Sequence, residues 1–160
     1  MKVFHEEPHN RSGAESVCEA FGGHLASIGS QAENDAVEAL LRSASASIGV
    51  AWIGLTDKAE EGTFVWSDGA PLLNFDKWGT GFGGQPNNDP IDQCGSYNSE
   101  DCVVAVPGYG WYDDPCEVVG AEWLTQHMFA VPNEPPDQHG CYPFKLPFVC
   151  STPALSGTTV

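Results

Sequence analysis

The 160-residue chain is long enough for one ordinary domain and short for two, and its 41% hydrophobic content supports a buried core over intrinsic disorder. Twenty-two Asp and Glu against six Lys and Arg give a formal net charge of -16. Such a field repels phosphate backbones and anionic lipid, which argues against nucleic-acid and membrane-surface partners, and it attracts cations.

Lys2 to Glu6 alternates weakly and predicts a first strand. Gly13 to Phe21 sets Ala14, Val17, Cys18 and Phe21 at helical spacing, and Gly22-Gly23 stops that helix. Ser30 followed by Glu33 is a capping box. It opens a second helix to about Arg42, with Ala36, Val37, Leu40 and Leu41 on the inner face. Ser43 to Ser47 is a small polar connector. Val50 to Leu55 suits a buried strand, and Thr63 to Trp66 another. From Ser67 to Asp101 Gly, Pro, Asn and Asp dominate with no sustained period. A stretch that long inside a compact domain is functional or disordered, and Phe75, Trp78 and Phe82 supply apolar anchors that argue for order. Val103 to Val106 and Tyr109 to Tyr112 predict a strand pair around Pro107-Gly108. Glu117 to Gly140 is a second irregular stretch, holding Trp123, Phe129 and the breaker Pro135-Pro136. Phe144 to Cys150 predicts a closing strand, and Ser151 to Val160 reads as a frayed Ser/Thr-rich tail.

The six cysteines are Cys18, Cys94, Cys102, Cys116, Cys141 and Cys150. None lies in a C-x-x-C pair, so a zinc ribbon or thioredoxin-type site has no support. An even set without that motif points to disulfides and an oxidising compartment, hence a secreted or cell-surface protein. Spacing alone cannot choose among the pairings. Met1-Lys2 leads straight into the first strand, so a targeting segment is expected upstream in the native protein. No apolar run approaches the ~18 residues of a membrane span.

Several segments, in order, resemble the C-type lectin-like domain. Ala14-Glu15-Ser16-Val17-Cys18 with Gly22-Gly23-His24-Leu25-Ala26-Ser27-Ile28 is similar to that family's first helix and following turn. Trp52-Ile53-Gly54-Leu55 is similar to its central strand, and Glu100-Asp101-Cys102 to the entry of the next. Trp111-Tyr112-Asp113-Asp114-Pro115-Cys116 resembles its Trp-Asn-Asp-x-x-Cys segment, and Phe148-Val149-Cys150 its final strand. The resemblance covers residues 2 to 151. It implies an α+β fold, two helices flanking small antiparallel sheets with a long irregular calcium-binding loop. The domain would span residues 1–151, with an insertion at about 117–143 and a linker at 152–160. It also implies Cys18–Cys150 and Cys102–Cys116 bridges. Cys94 and Cys141 fall outside the family pattern, and a bridge between them would staple the insertion to the long loop.

The resemblance carries a ligand set for calcium, which takes six to eight oxygens. The primary site falls on Gln85, Asn87, Glu100, Tyr112 and Asp113, with a cis Gln85-Pro86 bond turning both flanking side chains toward one ion. Two positions depart from the family. Gln85-Pro86-Asn87 carries no acid, and Tyr112 stands where an Asn ligand is expected, so formal charge comes only from Glu100 and Asp113 unless Asp89, Asp92 or Asp114 joins. The auxiliary site falls on Asp57, Glu61, Asn88 and Asp101, with Glu100 shared through its carbonyl. Clustered like charges favour a bound cation there.

The function implied is calcium-dependent carbohydrate binding through the long-loop face, to a glycan or glycoprotein and without catalysis. Trp123, Phe129 or Tyr142 could stack on a sugar ring. The competing reading keeps calcium as structural and makes the domain a protein-interaction or surface-adhesion module, since fold does not fix function. His5, His9, His24, His127 and His139 show no metal-ligand spacing. No G-x-S-x-G turn supports Ser-His-Asp catalysis, and Gly81 to Gly84 lacks the Lys of a phosphate loop. Asn10-Arg11-Ser12 is a glycosylation sequon.

Overall fold

A computed structural model of the chain describes residues 1–44, 49–81, 84–88, 100–120, 141–143 and 145–152; for 118–120 and 141–143 it describes backbone only. Phe82, Asp89, Asp92, Cys94, Trp123, His127, Phe129, Pro135-Pro136, His139 and the tail from Pro153 lie outside the described residues. The side chains of Cys141 and Tyr142 do too, and with them the expected Cys94–Cys141 bridge.

The elements are β1 (Lys2–His9), α1 (Arg11–Ala20), β2 (His24–Leu25), α2 (Gln31–Ala44), β3 (Ala51–Thr56), β4 (Val65–Trp66), β5 (Cys102–Val106), β6 (Gly110–Asp114), β7 (Val118–Gly120), β8 (Cys141–Pro143) and β9 (Leu146–Ser151). The main sheet runs β1-β9-β3-β5-β6, with β2 on β9 and β4 on β3; β7 and β8 form a separate pair. The two ends of the domain therefore meet. β1 lies antiparallel to β9 with Lys2 opposite Cys150, and β9 lies parallel to β3 with Phe148 opposite Trp52.

Local chemistry sets the helix ends. Asn10 caps α1 by accepting from the Gly13 N–H at 3.0 Å. The helix stops where Gly22 takes φ 77° and the Gly23 N–H bonds back to the Cys18 carbonyl. At α2 the Glu33 N–H donates to Ser30 Oγ, while Glu33 Oε2 accepts from that hydroxyl and from the Gly29 N–H.

Strand alternation splits the core in two. Trp52, Val104, Phe148 and Cys150 join Ala14, Cys18 and Leu25 on one face. Ile53, Leu55, Val103, Trp111 and Val149 join Ile28, Val37 and Leu41 on the other. Residues Ala51 to Leu55 of β3 are buried throughout, because both faces of that central strand are covered. Cys18–Cys150 ties α1 to β9, and Cys102–Cys116 joins the start of β5 to the turn after β6.

Several expectations need correction. Phe21 does not enter the core; it is 54% exposed, ringed by Phe4 and Lys2. The inner face of α2 is Asn34, Val37 and Leu41, with Ala36 exposed. Asn34 goes inside because its Oδ1 accepts from the buried Trp111 indole N–H at 3.0 Å. The second irregular stretch opens with β7, whose partner β8 takes residues 141–143, so the closing strand begins at Leu146. β2 went unread: two residues offer no period to detect.

Candidate functional site

The long loop is stitched to β6 through its backbone. The Trp111 N–H donates to the Lys77 carbonyl at 2.8 Å, the Gly79 N–H to the Trp111 carbonyl at 2.9 Å, and the Gln85 N–H to the Gly79 carbonyl at 3.0 Å. The Trp78 ring meets Phe64 and Trp111 edge-on, and Phe75 also meets Trp111. Phe75 and Trp78 are thus the anchors their residue types suggested. Tyr112 has a packing place of its own. A Cβ on Gly79 would lie 2.5 Å from Tyr112 Cζ, and one on Gly81 2.9 Å from its hydroxyl. Glycine at both positions makes room for the ring, and this accounts for the departure from Asn there.

From that base the chain passes through a cis Gln85-Pro86 bond, as expected. Gln85 Oε1 accepts from the Asp113 N–H at 3.2 Å. The Asp113 carboxylate accepts from the Asn87 N–H at 3.0 and 3.1 Å and from the Asn88 N–H at 2.8 Å. Asn88, at φ 44°, uses the left-handed conformation that Asn tolerates. Its Oδ1 accepts from the Glu100 N–H at 3.0 Å. Gln85, Asn87, Asn88, Glu100 and Asp113 are therefore held together by direct hydrogen bonds. Both amide oxygens accept a backbone N–H, and each keeps a second lone pair.

Asp57 follows β3. Its N–H donates to the Asp101 carbonyl at 3.2 Å and its Oδ2 accepts from the Gly62 N–H at 2.9 Å. Glu61 stays exposed on the same turn, close enough to raise the Asp57 pKa, as does Asp101. Asp57 acts in the same sense on Asp113, so the two sets adjoin.

The burial is unusual in kind. Of the five buried polar or charged residues described, four are Asp57, Glu100, Asp113 and Asp114. Desolvation pushes the Asp57 and Asp113 carboxyls above the ordinary carboxylate range, against the lowering effect of their amide donors. Asp114 is pushed well above it, first by burial and then by Glu100 and Asp113. The ion pairs His24–Glu15 and Arg42–Glu38 involve neither Asp57, Asp113 nor Asp114.

The donor set fits a hard divalent cation. It offers carboxylate and amide oxygens with no sulfur or imidazole, and the buried Asp57 Oδ1 has no hydrogen-bond partner. The acids are not drawn tight: the trio of described ligand atoms within 4.8 Å of one another is Glu15, Glu19 and His24, on α1 and β2. Histidine spacing gave no hint of that trio, because the Gly22-Gly23 turn brings His24 Nδ1 back to 2.6 Å from Glu15 Oε1. Burial of Asp114 was likewise not legible in the sequence, where Asp114 stands with Asp89 and Asp92 as an acid that could join the primary site.

Comparisons with known proteins bear on the family and the fold. The model of the Lectin C-type domain matches residues 7–121. Collectin-11 of Bos taurus is 36% identical over 117 residues, which are 72% of this chain and 36% of that protein. The alpha-N-acetylgalactosamine-specific lectin of Patiria pectinifera is 42% identical over 95 residues, 56% of this chain and 49% of that one. The chain thus spans half or less of the length of these two relatives. The carbohydrate-recognition domain of the mouse scavenger receptor C-type lectin superposes with a TM-score of 0.55 at 28% identity, covering 71% of this chain and 78% of that one.

Proposed function

Since the chain belongs to the Lectin C-type domain family, we propose that it binds carbohydrate through calcium held on the long-loop face. The observation that carries this reading is the joining of Gln85, Asn87 and Asn88 to Asp113, and of Glu100 to Asn88, beside buried Asp57 with its unpartnered oxygen. Gln85, Asn87, Glu100 and Asp113 form the primary set, and Asp57, Glu61, Asn88 and Asp101 the auxiliary one. Calcium held by these residues would offer coordination positions to two vicinal sugar hydroxyls. The amides of Gln85 and Asn87 donate to those hydroxyls, and the carboxylates of Glu100 and Asp113 accept from them. The partner is a glycan or glycoprotein, in keeping with the names of the relatives, and the domain is not catalytic. Its disulfides suit a secreted or cell-surface location. No helix among the described residues is long and apolar enough to cross a membrane. We assign the domain to residues 1–151, with 117–143 as an insertion and 152–160 as a linker.

A second reading is favoured by one observation. Tyr112 is packed against Gly79 and Gly81 and the 85–87 triplet carries no acid, a combination suited to structural calcium under a protein- or surface-binding face. A glycan array run with calcium and with chelator separates the two. Chelator-sensitive retention on sugar, lost in Glu100→Gln and Asp113→Asn, supports the lectin. A calcium-dependent rise in melting temperature without any sugar bound supports the adhesion module.

A further inference from the structure

We propose that Glu15, Glu19 and His24 form a further metal site that takes a divalent transition-metal cation of the zinc class. It shares no residue with the two calcium sets of the long loop and does not depend on them.

The trio is assembled by the fold. Glu15 and Glu19 stand four residues apart on α1 and so share one face of that helix. The Gly22-Gly23 turn reverses the chain, and β2 brings His24 back beside that face. One ligand atom from each of the three residues lies within 4.8 Å of the other two. His24 Nδ1 is 2.6 Å from Glu15 Oε1, and the Leu25 N–H donates to Glu15 Oε2 at 3.1 Å. The Leu25 bond fixes the Glu15 carboxylate with its other oxygen toward the imidazole, the kind of support that orients a metal ligand. Cys18, between the two acids on α1, is bridged to Cys150, and Cys150 lies opposite Leu25 where β2 pairs β9. Both halves of the trio are therefore tied to β9. The site stays open to solvent, since the His24 side chain is 40% exposed.

The donors point to the class of ion. Calcium and magnesium take oxygen alone, whereas an imidazole nitrogen beside two carboxylates suits zinc and its neighbours. Three protein ligands leave the fourth tetrahedral position to water. Zinc bonds of about 2.0–2.2 Å set tetrahedral ligand atoms roughly 3.3–3.6 Å apart. The present separations, from 2.6 Å up to 4.8 Å, bracket that spacing. Charge favours a cation as well. Acids at i and i+4 repel, and Glu19 lies in the last turn of α1, where the helix dipole disfavours an anion and no basic residue stands. Arg11 acts on Glu15, but its Nη2 donates to Ser67 Oγ. Among the described residues no Lys or Arg pairs with Glu19.

The test is calorimetric titration with zinc chloride of the whole chain, stripped of metal and then held in excess calcium chloride to fill the long loop. Wild type should show a zinc-binding step, and His24→Gln and Glu19→Gln should each weaken it by at least about tenfold. The rise in melting temperature that zinc gives the wild type should shrink in step. Glu19→Gln alters an exposed side chain, so it keeps the test decisive should His24→Gln fail to fold. Zinc binding as tight in Glu19→Gln as in wild type overturns the inference. Weakening in Glu19→Gln with none in a folded His24→Gln marks an acidic patch without the imidazole and overturns it too. So does a wild type that binds no zinc. Each of these results leaves the calcium reading standing, because that reading is tested on other residues with calcium alone.

Discussion

At the scale of single residues, buried acids and crowded glycines dominate. Asp57 and Asp113 have carboxyls raised above their unfolded values, first by desolvation. The folded state then holds more protons than the unfolded state between the ordinary carboxylate range and the raised values. Stability contributed by these groups is complete below that window and lost as pH rises through it. In chelator, lowering the pH from neutrality into the window should therefore raise the melting temperature. The rise should be smaller in an Asp57→Asn, Asp113→Asn double variant, measured by calorimetry over a pH series. Gly79 makes a steric prediction. A methyl there meets the Tyr112 ring, so Gly79→Ala should cost about 1–3 kcal/mol in urea denaturation, and pairing it with Tyr112→Ala should recover part of the loss. Neither effect is legible in the sequence, where Gly79 is one loop glycine among several and Tyr112 reads only as a missing Asn.

At the scale of elements, both helices are legible because they carry local signals: Ser30 as a cap for the second, Gly22-Gly23 as a stop for the first, and apolar residues at helical spacing. The face each helix buries is less so. Asn34 turns inward because a Trp111 indole seventy-seven residues away needs an acceptor, and local periodicity carries no trace of such a need. Asn34→Ala would strand that N–H in the core, with an expected loss of about 1–3 kcal/mol read from urea unfolding. Asn34→Asp would keep the acceptor but lose the Nδ2 donor that Asn34 gives to Glu38 Oε1 at 3.1 Å and bury a charge beside that carboxylate, so it should not restore the stability. The strands were read within a residue or two where apolar runs are long, as in β3 and β5. The short β2, which exists only because β9 lies beside it, was not.

For the whole molecule, closure is the organising fact. β1 and β9 bring the ends of the domain together, and Cys18–Cys150 locks them across a separation of 132 residues. Cys102–Cys116 spans only 14. Loop entropy in the unfolded chain grows with span, so removing the first bridge with paired Cys→Ala changes should cost about 4–5 kcal/mol, against about 3 for the second. Equilibrium denaturation of both double variants checks the order. The net charge of -16 belongs to this scale as well. It divides into solvated acids such as Glu6, Glu7 and Glu19 and a small buried set at one end of the sheet, where Asp57, Glu100, Asp113 and Asp114 lie.

The sequence by itself determined the family, the two helices, the bridges Cys18–Cys150 and Cys102–Cys116 as family positions, and the residues that could serve as oxygen donors. These are carried by local spacing and by motifs that hold their order along the chain. Only the tertiary structure decided which of those donors meet: how the loop is stitched to β6, where Tyr112 packs, and that Asp57 Oδ1 is buried with no partner. Burial likewise separated Asp114 from the solvated acids. Desolvation and long-range hydrogen bonds depend on what stands next to a group in space, and a sequence records only what stands next to it along the chain.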